Sequence, residues 1–485
     1  MNLTEVLRFL GVEYPTNACS LQNIQLDSRQ AQTGDLFCAM PGEKIDGRHF
    51  VQEAIKNGAA AILVESPYPE AKTNLKVPII EIPELSKRIT QLSAFFYNYP
   101  SRGLRLIGVT GTNGKTSCSH YTAQILNAGH KSCGVMGTLG NGMLPNLTQS
   151  QLTTSDCCNF QRQLNEFLSN NVDYVAMEVS SHALVQGRID GAIFDTAIFT
   201  NLSQDHLDYH GTMEEYFKSK ATLFTNFRPA TIIINLDDPY ADRLLKLITY
   251  KTRVLTYSLI NPVADVYYQR NKIFTPWGVG IVFSPLIGRF NMSNLLACIA
   301  CCGNHNMPLE LMLEAVRNIT PVAGRMQQVK PLSAEDPLVV IDYAHTPDAL
   351  TKALQALREI KDRTINCIFG CGGDRDREKR PLMLQAALQY ADKITITQDN
   401  SRTEDPQQIF NDILSNHVVG GNVVVQLDRA TAINNAIMQA KPKEIILIAG
   451  KGHEDYQIIG TEKFPFSDLE VAQKALATRS KSAWA

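Results

Sequence analysis

The sequence has no hydrophobic run long enough to span a bilayer. A transmembrane helix needs about 20 consecutive apolar residues, and none of the apolar runs approaches that length. The N-terminal stretch MNLTEVLRFLGVEYP also lacks the basic region and the small-residue cleavage site of a secretory signal peptide. The sequence therefore predicts a cytoplasmic protein without membrane insertion.

An excess of charge of either sign is also missing. The chain has 46 Lys and Arg against 48 Asp and Glu, a formal net charge of −2. Proteins that bind nucleic acid or an anionic membrane surface usually carry a basic excess. The composition therefore gives no reason to expect either partner, and we expect small-molecule partners and a monomeric chain.

A second cysteine pair at zinc-finger spacing is absent, although the chain has 11 cysteines. Cys298, Cys301, Cys302 and His305 lie in NLLACIACCGNH, which has the apolar pattern of a buried helix. Free cysteine is a common small core residue, and two adjacent cysteines at 157–158 have poor geometry for a metal. We therefore predict helix packing in a reduced protein, and no metal cluster.

With 485 residues, the chain is too long for one core and predicts about three domains. Residues 1–98 combine short strands with one strand–helix alternation, and a Pro/Gly/Ser-punctuated linker, NYPSRGL, follows at 98–104. Residues 99–330 alternate strands and helices, then have a β-rich stretch before a helix predicted from Asn291. Residues 331–485 repeat the alternation. The predicted class is α/β, with a central parallel sheet and a C-terminal doubly wound, Rossmann-like domain.

The stretch GVTGTNGKTS, residues 108–117, follows a predicted strand and begins a predicted helix. In that setting Gly111 and Gly114 would let backbone N–H groups face phosphates. Lys115 would reach the β- and γ-phosphates of a nucleotide, and the Thr116 hydroxyl would bind Mg²⁺. The loop is a variant, because the common pattern has a further glycine at its first position. These residues predict a P-loop ATPase domain on the central sheet.

Two further stretches have potential metal ligands at the ends of predicted strands. Glu178 follows the strand in YVAMEVSSHAL, and His206 follows the strand TAIFTN. Either residue alone would more often be an ordinary polar loop residue. At the ends of parallel strands on the same sheet as a phosphate loop, they become candidate metal ligands.

The stretch QDNSRTEDP, residues 398–406, lies between a predicted buried strand, KITIT, and a predicted helix, QQIFNDILS. Loops beyond the carboxyl ends of strands are where α/β sheets bind ligands. Asp399 and Asn400 would be ordinary turn residues. From spacing alone, Arg402 would be a solvated surface arginine.

Eight motifs occur in the order TGTNGKT, MEVSSH, TNLSQDHLDYHG, GRFN, DYAHTPDAL, GCGGDRD, DN-x-R and GKGHEDYQ. Over about Asp27 to Ser467, this set resembles the Mur ligases, ATP-dependent amide-forming enzymes of peptidoglycan precursor synthesis. The resemblance implies a UDP-binding domain (1–98), an ATP-binding domain (99–330) and an amino-acid-binding domain (331–485). It implies addition of meso-diaminopimelate to UDP-N-acetylmuramoyl-L-alanyl-D-glutamate through an acyl phosphate, with ATP and Mg²⁺ as cofactors.

The resemblance also implies site residues by their positions in the motifs. The implied catalytic residues are Lys115, His206 and Lys220, the last matching a carbamylated lysine. The implied ATP contacts are Gly111, Thr112, Asn113, Gly114, Lys115, Thr116, Ser117, Asn291, Arg325 and Asp342. The implied contacts to the UDP-muramoyl dipeptide are Leu26, Ser28, Thr153, Thr154, Ser180, Gln186 and Arg188. The implied amino-acid contacts are Arg375, Asp399, Asn400, Arg402, Gly450 and Glu454, and the implied metal ligands are Thr116, Glu178, His206 and Lys220.

Two positions depart from the pattern of the family members that add meso-diaminopimelate. Ser401 replaces the proline of their DNPR signature, which predicts a less rigid turn. Leu152 stands where many relatives have asparagine, so one polar contact to the dipeptide is expected to be missing.

Three other functions stay open from the sequence. They are an L-lysine-adding ligase of the same family, a folylpolyglutamate synthetase, which shares the phosphate loop, and a P-loop NTPase that works as a mechanical or regulatory switch. The DN-x-R and GKGHEDYQ motifs at predicted strand ends favour the peptidoglycan ligases, because they indicate a second small-molecule site.

Overall fold

The computed structural model describes residues 1–13, 19–42, 45–68, 77–150, 152–415 and 420–482. These residues form three successive α/β units, each built on its own main sheet, as the sequence predicted. No helix in the described ranges is long and apolar enough to cross a membrane.

The first unit is a four-stranded sheet with three helices. Its strands are β1, Ile24–Gln25; β2, Leu36–Ala39; β3, Ala61–Glu65; and β4, Ile79–Ile82. Its helices are α1, Leu3–Leu10; α2, Val51–Lys56; and α3, Leu85–Phe96. The strands pair in sequence order and all run parallel. Helix α1 begins at a capping box, because the Asn2 side chain accepts from the Glu5 backbone while the Glu5 carboxylate accepts from the Asn2 backbone.

The segment predicted as a linker at 98–104 is packed against the second unit. Pro100 to Arg102 form a single 3₁₀ turn, and both Pro100 and Ser101 are buried. The Ser101 hydroxyl accepts a hydrogen bond from the backbone N–H of Ile193 at 3.2 Å. The segment between the first two units is therefore packed against the second unit and is not an exposed linker.

The second unit is an eleven-stranded sheet. Its strands are β5, Arg105–Thr110; β6, Cys133–Gly137; β7, Gly140–Met143; β8, Asn146–Thr148; β9, Tyr174–Glu178; β10, Thr196–Phe199; β11, Thr231–Asn235; β12, Arg253–Ser258; β13, Val266–Gln269; β14, Lys272–Thr275; and β15, Gly278–Ile281. Its helices are α4, Lys115–Ala128; α5, Cys157–Ser169; α6, Ser181–Val185; α7, Leu207–His210; α8, Met213–Thr225; α9, Ala241–Leu247; α10, Arg289–Asn304; and α11, Leu309–Arg317. The strand order is β15-β14-β13-β12-β11-β10-β5-β9-β6-β7-β8.

The centre of this sheet sets the position of the candidate site. Strand β5 is flanked by β10 and β9, and both pairings are parallel. The carboxyl ends of these three strands therefore lie at one edge of the sheet. The phosphate loop follows β5, Glu178 is the last residue of β9, and His206 lies in the loop after β10.

Helix α10 explains the cysteine cluster. Cys298, Cys301 and Cys302 are fully buried in the apolar core beneath the central sheet. The His305 ring nitrogen Nε2 lies 3.2 Å from the Thr196 hydroxyl. The prediction of helix packing is confirmed, and the helix begins at Arg289, slightly before the predicted start.

The third unit is a six-stranded sheet with a small hairpin. Its strands are β16, Gln327–Gln328; β17, Leu338–Asp342; β18, Ile365–Phe369; β19, Lys393–Ile396; β20, Val423–Val425; and β21, Ile445–Ala449; the hairpin is β22, Tyr456–Ile459, with β23, Glu462–Pro465. Its helices are α12, Pro347–Arg358; α13, Lys379–Tyr390; α14, Pro406–Leu414; α15, Arg429–Gln439; and α16, Asp468–Ser482.

The order of this sheet is β16-β17-β21-β18-β19-β20, and every pairing from β17 to β20 is parallel. Strand β16 pairs antiparallel with β17, so the sheet takes in residues just before the predicted domain start at 331. The loops after β18, β19 and β21 meet at one edge. They carry the GCGGDRD, DNSR and GKGHEDYQ motifs respectively.

A buried ion pair joins the last two helices of this unit. Arg429 contacts Asp468 through two hydrogen bonds of 2.8 Å and donates to the Ala449 carbonyl at 2.9 Å. Both side chains are fully buried. We expect Arg429→Leu to lower the free energy of unfolding of this unit by about 3–5 kcal/mol, because it leaves the Asp468 carboxylate buried without a cation.

Urea denaturation followed by circular dichroism measures that loss. The matched control is the double variant Arg429→Leu/Asp468→Leu, which removes both charges and is expected to recover most of the stability. An Arg429→Leu protein as stable as the wild type would show that the pair contributes nothing.

Candidate active site

The predicted phosphate loop lies between the end of β5 and the start of α4. Gly111 and Gly114 have φ angles of +148° and +88°, which L side chains rarely adopt. A Cβ atom at Gly114 would lie 2.7 Å from the Asn294 Oδ1 atom. Glycine is therefore required at this turn for both its backbone conformation and the close approach of α10.

Lys115, the first residue of α4, holds its ammonium at the loop. Its Nζ donates to the backbone carbonyls of Gly111 and Thr112, both at 2.8 Å. Burial lowers the pKa of this lysine, and the nearby Glu178 carboxylate opposes that shift. The ammonium is thus held in a water-poor position, where it is available to an anion.

Thr116 and Glu178 form a pair of oxygen donors beside that lysine. Glu178 is the last residue of β9 and is 1% exposed. Its Oε2 accepts from the Thr116 hydroxyl at 2.9 Å, and its Oε1 accepts from the Thr138 backbone N–H at 2.7 Å. The Arg325 guanidinium donates to the same Thr116 hydroxyl at 3.2 Å. A buried carboxylate beside a hydroxyl is a donor set that suits Mg²⁺.

Lys220 is buried in the central unit and is not a solvated surface lysine. It is 2% exposed, and its Nζ donates to the Gly111 carbonyl at 2.9 Å and lies 4.5 Å from the centroid of the Tyr216 ring. Burial first, and then the neighbouring Lys115, hold the pKa of this amine well below its ordinary value. Helix α8 therefore brings a second lysine to the phosphate loop.

His206 lies just past β10 at the same edge of the sheet. Its backbone is left-handed, with a φ of +53°, and its Nε2 lies 3.3 Å from the Asp205 carboxylate. Burial of the ring lowers its pKa, which favours the neutral imidazole that binds metals. In the described part of the chain, no three His, Cys, Asp or Glu side chains are grouped as a metal site. A metal at this edge would need other ligands, such as the Thr116 hydroxyl or a substrate oxygen.

A cavity of about 480 Å³ opens on the far side of the phosphate loop, between the second and third units. Among the predicted ATP contacts, it is lined by Asn113, Gly114, Thr116, Ser117, Arg325 and Asp342. Asn291 does not line it, because this buried side chain donates to the Ile287 carbonyl at 2.8 Å. Asn294, one turn further along α10, lines the cavity instead.

Asp348 joins the two units across this cavity, a role that the sequence did not predict. Its Oδ2 accepts from the Asn113 side-chain amide at 3.1 Å and from the Ser203 hydroxyl at 3.3 Å. Lys352 donates to the same oxygen at 2.8 Å. The signal was present in the DYAHTPDAL motif, but its partner lies 235 residues away along the chain.

A second cavity of about 560 Å³ brings most of the predicted catalytic and substrate residues together. From the central unit it is lined by Lys115, Thr116, Thr153, Glu178, Ser180, Arg188, His206 and Lys220. From the third unit it is lined by Arg375, Asp399, Asn400, Arg402, Gly450 and Glu454. Phosphate loop and DNSR loop thus face one cleft.

Behind Glu178, a set of hydrogen bonds supports the predicted dipeptide residues. Thr154 donates to the Glu178 carbonyl at 2.8 Å and accepts from the Ser180 backbone N–H at 3.0 Å. Arg188 donates to the Thr154 carbonyl at 2.9 Å and to the Gln186 side chain at 2.8 Å. Thr154 and Gln186 therefore act as supports, while the cleft itself is lined by Thr153, Ser180 and Arg188.

Leu26 and Ser28, the predicted nucleotide contacts of the first unit, do not line either cavity. The Ser28 hydroxyl donates to the Glu53 carboxylate, and the Ser28 carbonyl accepts from the Asn57 side chain at 2.8 Å. Leu152 is exposed at the rim of the second cavity. Among the residues of the first unit that the structure describes, none lines either of these two cavities.

The DNSR turn is held in place without a proline. Arg402 has a left-handed backbone, with a φ of +53°. Its backbone N–H donates to the Ile458 carbonyl at 3.1 Å, and its carbonyl accepts from Gly460 at 2.7 Å. On the other side, the Gly373 N–H donates to the Asn400 carbonyl at 2.9 Å. Backbone hydrogen bonds to the β22–β23 hairpin and the GCGG loop therefore replace the rigidity expected from proline.

Arg402 also differs from its interpretation as a solvated surface side chain. The residue is only partly exposed, lines the cleft, and donates from Nη1 to the Gly373 carbonyl at 2.8 Å. Asn400 is buried beside it and donates to the Glu454 carboxylate at 3.0 Å. The loops that follow β19 and β21 thus bring together the Arg402 guanidinium, the Asn400 amide and the Glu454 carboxylate.

Three protein-family descriptions match successive parts of the chain: "Mur ligase family, catalytic domain" at residues 20–97, "Mur ligase middle domain" at 109–302 and "Mur ligase, glutamate ligase domain" at 324–452. The UDP-N-acetylmuramoyl-L-alanyl-D-glutamate–2,6-diaminopimelate ligase of Coxiella burnetii is 43% identical over 471 residues, 94% of this chain and 96% of that protein. The protein of the same name from Synechococcus elongatus is 44% identical over 500 residues, 99% and 100% of the two chains. A solved structure of a ligase with this name is similar with a TM-score of 0.66 and 35% identity, over 99% of both chains.

Proposed function

The chain belongs to the Mur ligase family, and we propose that it joins meso-diaminopimelate to UDP-N-acetylmuramoyl-L-alanyl-D-glutamate at the expense of ATP. The reaction forms an amide between the D-glutamate side-chain carboxylate and an amine of diaminopimelate. ADP and inorganic phosphate are released together with the amide product. The reaction belongs to the synthesis of peptidoglycan precursors.

The observation that carries the proposal is the shared cleft of about 560 Å³. A phosphate loop on one wall faces a guanidinium, an amide and a carboxylate on the other. The first wall suits a nucleotide, and the second suits the charged end groups of an amino acid. A P-loop NTPase that works as a switch would not need an amino-acid site on the second wall.

In the first step, a carboxylate oxygen of D-glutamate attacks the γ-phosphorus of ATP, and ADP leaves as an acyl phosphate forms. Two anions must approach each other in this step, and their repulsion is the main part of the barrier. The Lys115 ammonium lies at the Gly111 carbonyl and the Arg325 guanidinium lies at the Thr116 hydroxyl, and both place positive charge where the phosphates would bind. Their low-dielectric setting strengthens that stabilisation.

Thr116 and Glu178 would hold Mg²⁺, with His206 and a modified Lys220 as further ligands in the second cavity. When bound, Mg²⁺ supplies charge neutralisation to the phosphate oxygens. The fit rests on the buried carboxylate and hydroxyl, whose oxygens are 2.9 Å apart. The Thr116 hydroxyl donates to Glu178 and accepts from Arg325 at 3.2 Å.

In the second step, the amine attacks the acyl carbon, the C–O bond to phosphate breaks, and the amine loses a proton. Arg402, Asn400 and Glu454 bind the amino acid so that its amine approaches from the third domain. The acyl phosphate must be kept from water until then. A cleft walled by two domains meets that need, because closing them excludes water and completes the site. The first domain holds the UDP group away from this chemistry, with Ser28 as a contact.

Lys220 acts as its carbamate. The amine adds CO₂, which forms an N–C bond and releases one proton. A buried ammonium next to Lys115 is unfavourable, whereas a carbamate is an anionic oxygen ligand of the kind that Mg²⁺ prefers. We expect Lys220→Ala to lose most of its ligase activity, and short carboxylic acids at high concentration to restore part of it.

Phosphate release with and without acetate measures this effect. Lys218→Ala is the matched control, because Lys218 lies on the same helix, is exposed and pairs with Glu215 at 2.8 Å. The control is expected to keep wild-type activity and to show no response to acetate. Full activity in Lys220→Ala without any added acid would contradict the assignment.

The function itself is tested by measuring phosphate release from ATP with the UDP-muramoyl dipeptide and a panel of amino acids. We expect turnover only when the dipeptide and meso-diaminopimelate are both present. A mechanical or regulatory NTPase would release phosphate without them, and a folylpolyglutamate synthetase would require a folate and glutamate. Either result would reject the proposal.

A further inference from the structure

Lys451 is a buried charged residue to which no role has been given above. It follows Gly450 just after β21, and its side chain is 0% exposed. Lysine is almost never fully buried without a partner. Its Nζ lies 2.8 Å from Glu454 Oε2 and 3.1 Å from Asn400 Oδ1. Both partners belong to the proposed amino-acid site.

These contacts determine the orientation of the Asn400 amide. Its Oδ1 accepts from Lys451 Nζ and also from the Ile458 backbone N–H at 2.9 Å. Its Nδ2 donates to Glu454 Oε2 at 3.0 Å. An amide oxygen has two lone pairs and an amide nitrogen has two hydrogens. The oxygen is therefore fully used, and the group left for a ligand is one N–H donor.

The same lysine determines which oxygen of Glu454 remains available. Oε2 accepts from both Lys451 and Asn400, whereas Oε1 takes part in neither bond. The Asp399 carboxylate lies 3.8 Å from Lys451 Nζ, and the Tyr456 ring centroid lies 5.6 Å away. Lys451 is thus enclosed by these groups, of which the two carboxylates are the ones it neutralises, and it cannot itself reach a ligand from that position.

We propose that Lys451 is a positioning residue that orients one hydrogen-bond donor and one acceptor toward a second centre of the amino acid, one that bears both an ammonium and a carboxylate. The Asn400 N–H would bind the carboxylate of that centre, and Glu454 Oε1 would bind its ammonium. This inference rests on the proposed function, which assigns Asn400 and Glu454 to the amino acid. Without Lys451, the Asn400 amide can rotate and the Glu454 carboxylate loses its counter-charge.

The test is steady-state kinetics of Lys451→Met. We expect the KM for meso-diaminopimelate to rise by roughly 10- to 100-fold, as when other supporting residues behind a ligand contact are removed. The KM values for ATP and for the UDP-muramoyl dipeptide are expected to stay unchanged, since neither substrate uses this pair. The matched control is Lys463→Met, because Lys463 is exposed and lies 4.2 Å from the same Tyr456 ring but contacts neither Asn400 nor Glu454.

A second comparison works even if Lys451→Met fails to fold. Glu454→Gln and the double variant Glu454→Gln/Lys451→Met leave no carboxylate at position 454 for a lysine to neutralise. If Lys451 acts through Glu454 and Asn400, the second substitution raises the KM by clearly less than the roughly 10- to 100-fold expected in the wild-type background. A further rise of roughly 10- to 100-fold over Glu454→Gln in the double variant, or a wild-type KM in Lys451→Met, would overturn the proposal. A wild-type protein that releases no phosphate with both substrates would instead reject the proposed function.

Discussion

Lys115→Ala is expected to abolish ligation and leave the fold intact. The ammonium of this lysine is held on the Gly111 and Thr112 carbonyls, where we propose that the phosphates of ATP bind. One lost charge-assisted contact in a closed site raises the barrier by roughly 3 kcal/mol or more, which is about a hundredfold or more in rate. Measuring product formation under saturating ATP detects that loss directly.

The stability of the same variant distinguishes a catalytic loss from unfolding. Burial lowers the pKa of Lys115, so the folded protein disfavours its charged form relative to the unfolded chain. The ammonium therefore costs stability at neutral pH when no anion is bound, and stability rises with pH as the amine deprotonates. We expect Lys115→Ala to unfold at the same urea concentration as the wild type or a higher one.

Lys131→Ala is the control for the effect of removing a lysine from this region. Lys131 lies just beyond the far end of α4, near the Tyr174 ring and away from the cleft. It is expected to keep wild-type activity. A folded Lys115→Ala protein that forms product at the wild-type rate would show that the GKT loop does not bind the reacting phosphate.

The phosphate loop could be predicted from the sequence because its signal is local. A strand, two glycines with unusual backbone angles and a helix lie within a few residues of each other, and the structure has each of them. The same holds for the loops after β19 and β21. In each case the predicted site residues lie directly after an apolar strand, and sheet topology brings those loops to one edge.

The burial of Lys220 could have been inferred from helix periodicity. Tyr216 and Phe224 lie four residues on either side of it, so all three share one face of α8. Lys218 lies on the opposite face and is exposed. The spacing was therefore informative, but a lysine on an apolar face is easily taken for a side chain that extends to water.

Contacts between domains could not be predicted in this way. The bond from Asn113 to Asp348 and the bond from Arg325 to Thr116 join residues more than 200 positions apart. The hydrophobic periodicity of a sequence does not indicate such a pairing, because the pairing depends on how two folded units pack against each other. Asn294 lines the cavity instead of the predicted Asn291 for the same reason. Only the packed structure shows which face of α10 meets the cavity.

Arg402 is expected to select meso-diaminopimelate over L-lysine. The two amino acids share the reacting amine and one carboxylate, and they differ at the far end, where only meso-diaminopimelate has a second carboxylate. The planar guanidinium of arginine binds a carboxylate through two parallel hydrogen bonds, which a lysine ammonium cannot do. Asn400 beside it can donate to the same carboxylate, and Glu454 can accept from the neighbouring ammonium.

With L-lysine bound, the Arg402 guanidinium would lie in a closed site without an anion. A site whose polar group pairs with a polar group of the substrate rejects an analogue without that group by up to roughly 10⁴-fold in kcat/KM. The backbone bonds from Arg402 to Ile458 and Gly460 hold the turn, so Ser401 in place of proline is not expected to weaken this selection. The Arg402 guanidinium donates a hydrogen bond to the Gly373 carbonyl at 2.8 Å, and a ligand carboxylate can replace that carbonyl as the acceptor.

We therefore expect Arg402→Ala to lose most of its kcat/KM for meso-diaminopimelate and to use L-lysine barely better than the wild type does. The second effect follows because alanine removes the unpaired cation but adds no group that binds the lysine chain. The control is Arg377→Ala, an exposed arginine of the same domain that pairs with Asp412 at 2.8 Å. If the wild type ligates L-lysine as efficiently as meso-diaminopimelate, or if Arg402→Ala keeps the wild-type preference, then the DNSR loop does not select the amino acid.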